Sequence, residues 1–156
     1  MGYFFQDLKY VYIHWPFCPY KCHYCDFVAI ASHEQFMERY HNALKQEIFS
    51  SKDRFSQKQI LKTIYFGGGT PSTYPLPLLL DMFDTLKNIF LFDTTTEITL
   101  EVNPGTVTQD ALKVWRQVGI NRLSIGVQSL KDQVLQDLNQ RYVLVLINLI
   151  PVRLKH

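Results

Sequence analysis

The chain has 156 residues, of which 47% are hydrophobic and 14% aromatic, and this composition favours one packed domain over a disordered segment. Its formal net charge of +2 is too small to indicate a nucleic-acid partner, and no apolar run reaches the roughly 18 residues that a membrane span requires. The cysteines are few and clustered, and the first ten residues lack the pattern of an export signal, so we expect a reducing, cytoplasmic location.

A strand–loop–helix rhythm runs through the chain. Segments rich in β-branched and aromatic residues predict strands at residues 10–15, 60–66, 97–102 and 122–128. Apolar residues at helical spacing predict helices at residues 32–51, 77–90, 108–118 and 131–139. Ser32 with Gln35 resembles a capping box, while Thr108 and Gly119 are the predicted N-cap and stop of the third helix. The alternation predicts an α/β fold with a parallel sheet and right-handed crossovers.

Polar motifs follow the ends of the predicted strands. The cysteine loop follows the first strand, residues 67–70 follow the second, Glu101 lies near the end of the third and Gln128 ends the fourth. Parallel sheets and barrels bind ligands at the carboxyl ends of their strands, so these motifs are expected to share one rim. Polar side chains such as Tyr12 and His14 alternate with apolar ones, and a buried polar lining is costly without partners. We therefore expect a partial barrel whose polar interior holds a polar ligand.

The segment Cys18-x3-Cys22-x2-Cys25 contains every cysteine of the chain. Three thiolates on one loop can hold an iron–sulfur cluster, and a four-iron cubane with three protein ligands keeps one iron open to a small molecule. A zinc site completed by His14 or His23 is an alternative, although the sequence lacks the second pair of closely spaced ligands that structural zinc sites usually have. A disulfide with one free thiol and a chance grouping of buried cysteines are further alternatives.

The cysteine loop and three later strings resemble the radical S-adenosylmethionine (SAM) superfamily. The superfamily's signature is the same cysteine spacing with an aromatic residue, here Tyr24, before the last cysteine. The string from Tyr12 to Phe27 narrows the resemblance to the oxygen-independent coproporphyrinogen III oxidase family and, within it, to the heme-chaperone (HemW-type) branch. Gly-Gly-Gly-Thr-Pro at 67–71, Glu-Val-Asn-Pro-Gly at 101–105 and Asn-Arg-Leu-Ser-Ile-Gly-Val-Gln-Ser at 121–129 fit the same family in the same order. The resemblance covers about residues 10–139.

The resemblance implies a 4Fe-4S cluster on the three cysteines and SAM on its open iron. An electron from the reduced cluster would then break the sulfonium C–S bond of SAM and give a 5′-deoxyadenosyl radical. A heme or porphyrin, as ligand or substrate, and an electron donor are the other implied partners. The implied metal ligands are Cys18, Cys22 and Cys25, and the implied SAM contacts are Tyr12, Tyr24, Gly68, Gly69, Thr70, Glu101 and Gln128.

Each implied SAM contact also has a purely structural interpretation. Successive glycine N–H groups at residues 67–70 can form an anion-binding concavity, which would take the amino-acid end of SAM, but a plain tight turn explains the same sequence. Glu101 could instead be solvated or paired with an arginine, and Gln128 could be a packed amide. Tyr12 and His14 could be packing residues, and Tyr24 a surface residue. The residues expected to face solvent are His23, His33, His41, His156, Asp81, Asp84 and Lys87.

Two features depart from the family pattern. The oxidases carry a fourth cysteine two positions after the third, where this chain has Phe27, and this favours the heme-chaperone branch. An arginine that usually follows Asn139 stands one position later, as Arg141, and receives no role. We expect residues 1–141 to form the N-terminal portion of a truncated radical SAM core, the first four β–α units of a partial (β/α)6 barrel. Residues 142–156 are expected to be an aberrant apolar tail or a closing strand.

The sequence therefore predicts a cluster- and SAM-binding protein of porphyrin and heme metabolism that resembles a heme chaperone. Oxygen-independent coproporphyrinogen III oxidase (dehydrogenase) activity is the first alternative. A non-catalytic or zinc-stabilised remnant is the second. Because the expected truncation removes residues on which catalysis depends, the sequence leaves open whether this chain is an active enzyme.

Overall fold

A computed structural model describes residues 8–55 and 57–138 as alternating strands and helices. The strands are β1 (Tyr10–Trp15), β2 (Phe17–Cys18), β3 (Ile30–Ala31), β4 (Thr63–Gly68), β5 (Glu97–Val102) and β6 (Arg122–Ile125). The helices are α1 (Met37–Ser51), α2 (Leu76–Ile89), α3 (Gln109–Val118) and α4 (Asp132–Asp137). Strands β1, β4, β5 and β6 form a four-stranded parallel sheet in that order, which confirms the predicted α/β class and its four β–α units. Within the described ranges, no helix combines the length and the apolar character needed to cross a membrane.

Two strands differ from their predicted bounds. The strand predicted at 60–66 begins later, at Thr63, and Ile60 is 71% exposed with only an isolated bridge to Leu91. It also ends later, because Gly67 and Gly68 stay in register with the last residues of β1. The strand predicted at 122–128 ends earlier, at residue 125, opposite the last residue of β5, and the Gly126 N–H makes a final bond to the Val102 carbonyl at 3.0 Å. Glycines signal a turn in a sequence, but pairing with a neighbouring strand decides where the ladder stops.

Helix ends were predicted well where the cap is local. Thr108 accepts a hydrogen bond from the Ala111 N–H at 3.1 Å, and Gly119 ends α3 with φ of 107°, as predicted. The capping box at Ser32 is wrong, because this residue has φ of 59° and a 3₁₀ turn, Glu34–Phe36, precedes α1. An N-cap residue has extended backbone angles, so a serine in the left-handed region cannot serve as one.

The two faces of the sheet divide as the alternation predicts. The apolar face packs against α1, α2 and α3, and its most deeply buried side chains include Trp15, Phe66 and Leu100. The indole of Trp15 stacks on the Tyr74 ring with centroids 3.7 Å apart. Burial of each such side chain contributes about 1.5–3 kcal/mol. The polar face, which carries Tyr12, is left open and forms the inner wall of the partial barrel.

One expected surface histidine is part of the core. His41 on α1 is 1% exposed, and its Nε2 donates to Asp81 Oδ2 on α2 at 2.6 Å while its Nδ1 lies 2.7 Å from the Tyr74 hydroxyl. Lys45 Nζ donates to the same Asp81 oxygen at 2.6 Å. The solvent-facing prediction is therefore wrong for His41, and Asp81 is a paired residue although its side chain is 45% exposed. His23, His33, Asp84 and Lys87 are exposed as predicted.

Candidate functional site

The cysteine loop is closed at its base by a short parallel ladder. Strands β2 and β3 pair Phe17 with Ile30 and Cys18 with Ala31, and the Ile30 N–H also donates to the Pro16 carbonyl at 2.7 Å. Residues 19–29 therefore leave the sheet and return to it at one point. Because β2 follows β1 after a single residue, the loop is held directly above the carboxyl end of the first strand.

The three cysteines face one cavity of about 240 Å³ at the carboxyl ends of β4, β5 and β6. The structure brings nearly all the predicted site residues together around it. Those that line it are Cys18, Cys22, Cys25, Tyr24, Gly68, Gly69, Thr70, Glu101 and Gln128. Motifs that lie as far as 110 residues apart in the sequence thus share one rim, as parallel strand order requires.

The thiol of Cys18 is fixed by the loop that follows β4. Thr70, itself 6% exposed, donates its hydroxyl proton to Cys18 Sγ at 3.2 Å. Burial raises the pKa of the Cys18 thiol, while the Thr70 hydrogen bond acts in the opposite direction. Burial likewise raises the pKa of Cys22, and the nearby Cys25 adds to this effect. A hydrogen bond joins Cys22 to Tyr24, and burial first and then the neighbouring thiols raise the pKa of that phenol to about 12.

The glycine run does not form the anion-binding concavity that its sequence allows. Its N–H groups are used inside the protein: Gly68 donates to Glu101 Oε2 at 3.1 Å, Gly69 to the Trp15 carbonyl at 2.8 Å and Thr70 to the Phe17 carbonyl at 2.9 Å. Close approach is the physical reason for the glycines. A Cβ on Gly69 would stand 2.6 Å from the Pro16 oxygen and 2.9 Å from Cys18 Sγ. Contact of this segment with SAM stays a prediction, but it cannot rest on free backbone donors at these three positions.

Glu101 is half-buried on the inner face of β5 and faces the cavity. Its Oε1 accepts from the Tyr65 hydroxyl at 2.6 Å and its Oε2 from the Gly68 N–H. The solvated and arginine-paired interpretations therefore do not describe this carboxylate. Two fixed donors on β4 hold it, and its remaining lone pairs are available to a donor in the cavity.

Tyr12, His14 and His23 lie away from the cavity wall. Tyr12 is 58% exposed and stacks on Tyr65 with ring centroids 6.1 Å apart, and its hydroxyl shares a hydrogen bond with His14 Nδ1 at 2.9 Å. His14 Nε2 lies 3.3 Å from the Val28 carbonyl, and His23 Nδ1 lies 3.4 Å from the Asp137 carbonyl. Both histidines are thus engaged elsewhere than at the thiols. Contact between Tyr12 and SAM stays a prediction that this placement does not support directly.

Several cavity residues were not singled out from the sequence. Asn103 lies beside the Tyr20 hydroxyl at 3.3 Å, and Ser124 on β6 contributes a second hydroxyl to the wall. Lys21 brings a cationic side chain to the same cavity. The alternation of polar residues along β5 and β6 was the available signal for Asn103 and Ser124. Nothing in the local sequence distinguishes Lys21 from other loop lysines.

The donor set fits an iron–sulfur cluster. Three free thiols on one loop face the cavity. Gly69 leaves room for one of them, because a Cβ at this position would collide with Cys18 Sγ. In the described part of the chain, no group of three or more His, Cys, Asp or Glu side chains converges on the position of a single ion. A cubane does not require such convergence, because each cysteine binds a different iron.

Comparison with protein families gives one match over most of the chain. A family model described as the radical SAM superfamily matches residues 12–144. This range begins at Tyr12 in β1 and contains all three cysteines and every cavity-lining residue.

Curated relatives and a solved structure agree with that match. The heme chaperone HemW of Bacillus subtilis is 36% identical over 134 residues, which is 85% of this chain and 35% of the relative. The oxygen-independent coproporphyrinogen III oxidase of Synechocystis is 31% identical over 83% of this chain and 28% of its own length. The structure of coproporphyrinogen III oxidase (HemN) from Escherichia coli, described as a radical SAM enzyme, superposes with a TM-score of 0.81 at 30% identity, covering 88% of this chain and 32% of HemN. The chain thus spans about a third of these relatives.

Proposed function

This chain belongs to the radical SAM superfamily, and we propose that its cavity binds a 4Fe-4S cluster together with SAM. Cys18, Cys22 and Cys25 would be the three cluster ligands. One observation carries the proposal: the three thiols, the only cysteines of the chain, line the same cavity as Glu101 and the loop after β4. A cavity with thiols at one side and oxygen acceptors at the other suits a cluster that shares an open iron with a polar ligand.

The residues of the chain would divide the binding between them. When bound, the reduced cluster supplies the electron that breaks the sulfonium C–S bond of SAM. Glu101 would accept a hydrogen bond from the ammonium group or the ribose of SAM, and Gln128 one from the ribose. Tyr24, which lines the cavity while bonded to Cys22, would cover the adenine. Thr70 would keep the thiol of Cys18 in place through its hydroxyl.

We further propose that the protein acts in heme metabolism as a heme chaperone-like protein, with heme as its ligand. The HemW relatives and Phe27, in the position of the oxidases' fourth cysteine, support this choice. Oxidation of coproporphyrinogen III is the second candidate, favoured by the structural likeness to HemN. Reductive cleavage of SAM needs an electron donor, and the three free thiols suit a reducing compartment such as the cytoplasm.

Anaerobic reconstitution with iron and sulfide tests the cluster. We expect about four irons and four sulfides per chain and a visible band that dithionite bleaches. The variants Cys18→Ala, Cys22→Ala and Cys25→Ala should each lose the cluster. The variant with all three substitutions is the control for iron and sulfide that bind nonspecifically. Stoichiometric zinc without sulfide uptake would instead support a zinc-stabilised, non-catalytic protein. Full cluster content in Cys22→Ala would contradict the ligand assignment.

Two incubations of the reconstituted protein separate the candidate functions. A heme titration followed by absorbance should show stoichiometric binding if the protein is chaperone-like. Incubation with coproporphyrinogen III, SAM and a reductant should give the decarboxylated product if it is an oxidase. Product without heme binding would overturn the chaperone proposal, while heme binding without product would overturn the oxidase alternative.

A further inference from the structure

Tyr65 does not line the cavity but hydrogen-bonds to two of the residues that do. Its hydroxyl donates to Glu101 Oε1 at 2.6 Å, and Ser124 hydrogen-bonds to the same phenol oxygen. We infer that Tyr65 is a positioning residue that holds the Glu101 carboxylate in its ligand-binding orientation. The inference rests on the proposed function, because it assigns Glu101 a ligand in the cavity.

The ring of Tyr65 has little freedom to turn away. It stacks on Tyr12 of the neighbouring strand at an interplanar angle of 25°. Both rings close over Gly67, where an added Cβ would lie 2.8 Å from an edge atom of each. The strand register fixes the pair, because Tyr12 stands directly opposite Tyr65 in the β1–β4 ladder. A rigid donor is therefore presented toward β5.

The Glu101 carboxylate is held at two points that differ in kind. The first donor is the Gly68 backbone N–H, whose direction is set by a φ of 122° that residues other than glycine rarely adopt. A Cβ at this position would also lie 2.8 Å from the ring of His14. A single donor leaves a carboxylate free to rotate about it. The second donor, the Tyr65 hydroxyl, fixes the plane of the carboxylate and so fixes which lone pairs face the cavity.

A double-mutant cycle on SAM affinity tests this role in the reconstituted protein. Tyr65→Phe removes only the hydroxyl and should weaken SAM binding about tenfold, the lower end for a hydrogen bond to a charged group. Glu101→Ala should weaken binding further. In the Glu101→Ala background, Tyr65→Phe should change affinity less than about twofold, because no carboxylate remains to be positioned. Tyr10→Phe is the matched control, because it removes an exposed hydroxyl from the neighbouring strand β1 on the same face of the sheet as Tyr65. It should leave SAM affinity unchanged.

A second measurement does not depend on SAM. The pKa of the Tyr65 phenol is raised by burial and then by its hydrogen bond to Glu101. Titration of ¹³C-labelled tyrosine by NMR should therefore show a lower Tyr65 pKa in Glu101→Ala than in the wild type. Glu101→Gln, which keeps the side-chain volume, should lower it in the same direction.

The outcomes separate this inference from the proposed function. Additive effects of the two substitutions on SAM affinity would overturn the positioning role while leaving SAM binding intact. Absence of SAM binding by the wild-type protein would overturn the proposed function. In that case an unchanged Tyr65 titration in both Glu101 variants would overturn the coupling as well, and a lowered pKa would support it.

Discussion

Gly69→Ala is the substitution that tests most directly how the glycine loop places Cys18. The added Cβ would lie 2.6 Å from the Pro16 carbonyl oxygen, 2.8 Å from its carbon and 2.9 Å from Cys18 Sγ. The shortest of these is 0.8 Å inside the 3.4 Å at which ordinary contact begins. Two of the three obstacles are backbone atoms, so a side-chain rotation cannot relieve the crowding.

The cost follows from what must move. The Pro16 carbonyl accepts the Ile30 N–H at 2.7 Å, so a displaced carbonyl weakens the bond that closes the cysteine loop. Overpacking of this kind typically costs about 1–3 kcal/mol. Taking about 2 kcal/mol, we expect the melting temperature of the variant to fall by about 4–8 °C. The same displacement moves the Cys18 thiol from Thr70, and we expect reconstituted iron to fall well below the wild-type content.

Gly119→Ala provides the matched control. Its free energy of unfolding should also fall by about 1–2 kcal/mol, because Gly119 has φ of 107°. The added Cβ, however, meets only Ile98 Cδ1 at 3.5 Å, and Gly119 does not line the cavity. Both variants are compared by thermal unfolding and by iron content after anaerobic reconstitution. We expect both to be destabilised and only Gly69→Ala to lose iron. Wild-type stability in Gly69→Ala would refute the crowding argument, and wild-type iron in a destabilised Gly69→Ala would refute its link to Cys18.

Three further predictions concern the scaffold. Thr108→Ala should lower the free energy of unfolding by about 1 kcal/mol, measured with urea, because the Ala111 N–H loses its cap; an unchanged midpoint would contradict the cap. Phe66→Ala should cost about 3–5 kcal/mol in the same assay, because this side chain is fully buried, and a loss below about 1 kcal/mol would contradict that burial. The Lys45 and His41 hydrogen bonds lower the pKa of Asp81, so its stabilisation is present above the unfolded value of about 3.9 and is lost as pH falls below it. The stability difference between wild type and Asp81→Asn should therefore shrink between pH 7 and pH 3; a difference independent of pH would count against the pairing.

Local signals predicted the elements whose ends depend on neighbouring residues alone. The bounds of β1 and β5 and the caps of α3 are confirmed, because alternation, a threonine hydroxyl and a left-handed glycine act within a few residues. The start of β4 and the entry to α1 were predicted less well. They depend on which strand pairs with Thr63 and on the backbone angle at Ser32, and neither is written in the adjacent sequence. The predicted domain boundary at 141/142 and the whole predicted tail, 142–156 with His156, lie outside the described residues, so these calls stay predictions.

The buried polar network was beyond sequence reasoning for the same reason. From the sequence, the position of His41 on α1 could equally face water. The packing of α2 against α1 brings Asp81 to its ring, and the turn before α2 brings the Tyr74 hydroxyl to it. Tyr65 was missed likewise, because its partner Glu101 lies 36 residues away on the next strand.

The amino-acid sequence by itself determined the chemistry of this protein: three thiols at a spacing typical of cluster ligands, and polar motifs at the ends of four strands. These follow from residue identity and from the order of strands in a parallel sheet. The tertiary structure alone decided how the motifs are used. It gave the glycine N–H groups internal acceptors, joined the Thr70 hydroxyl to Cys18 and joined the Tyr65 hydroxyl to Glu101. Contacts between separate strands depend on register and side-chain packing, which no local pattern encodes.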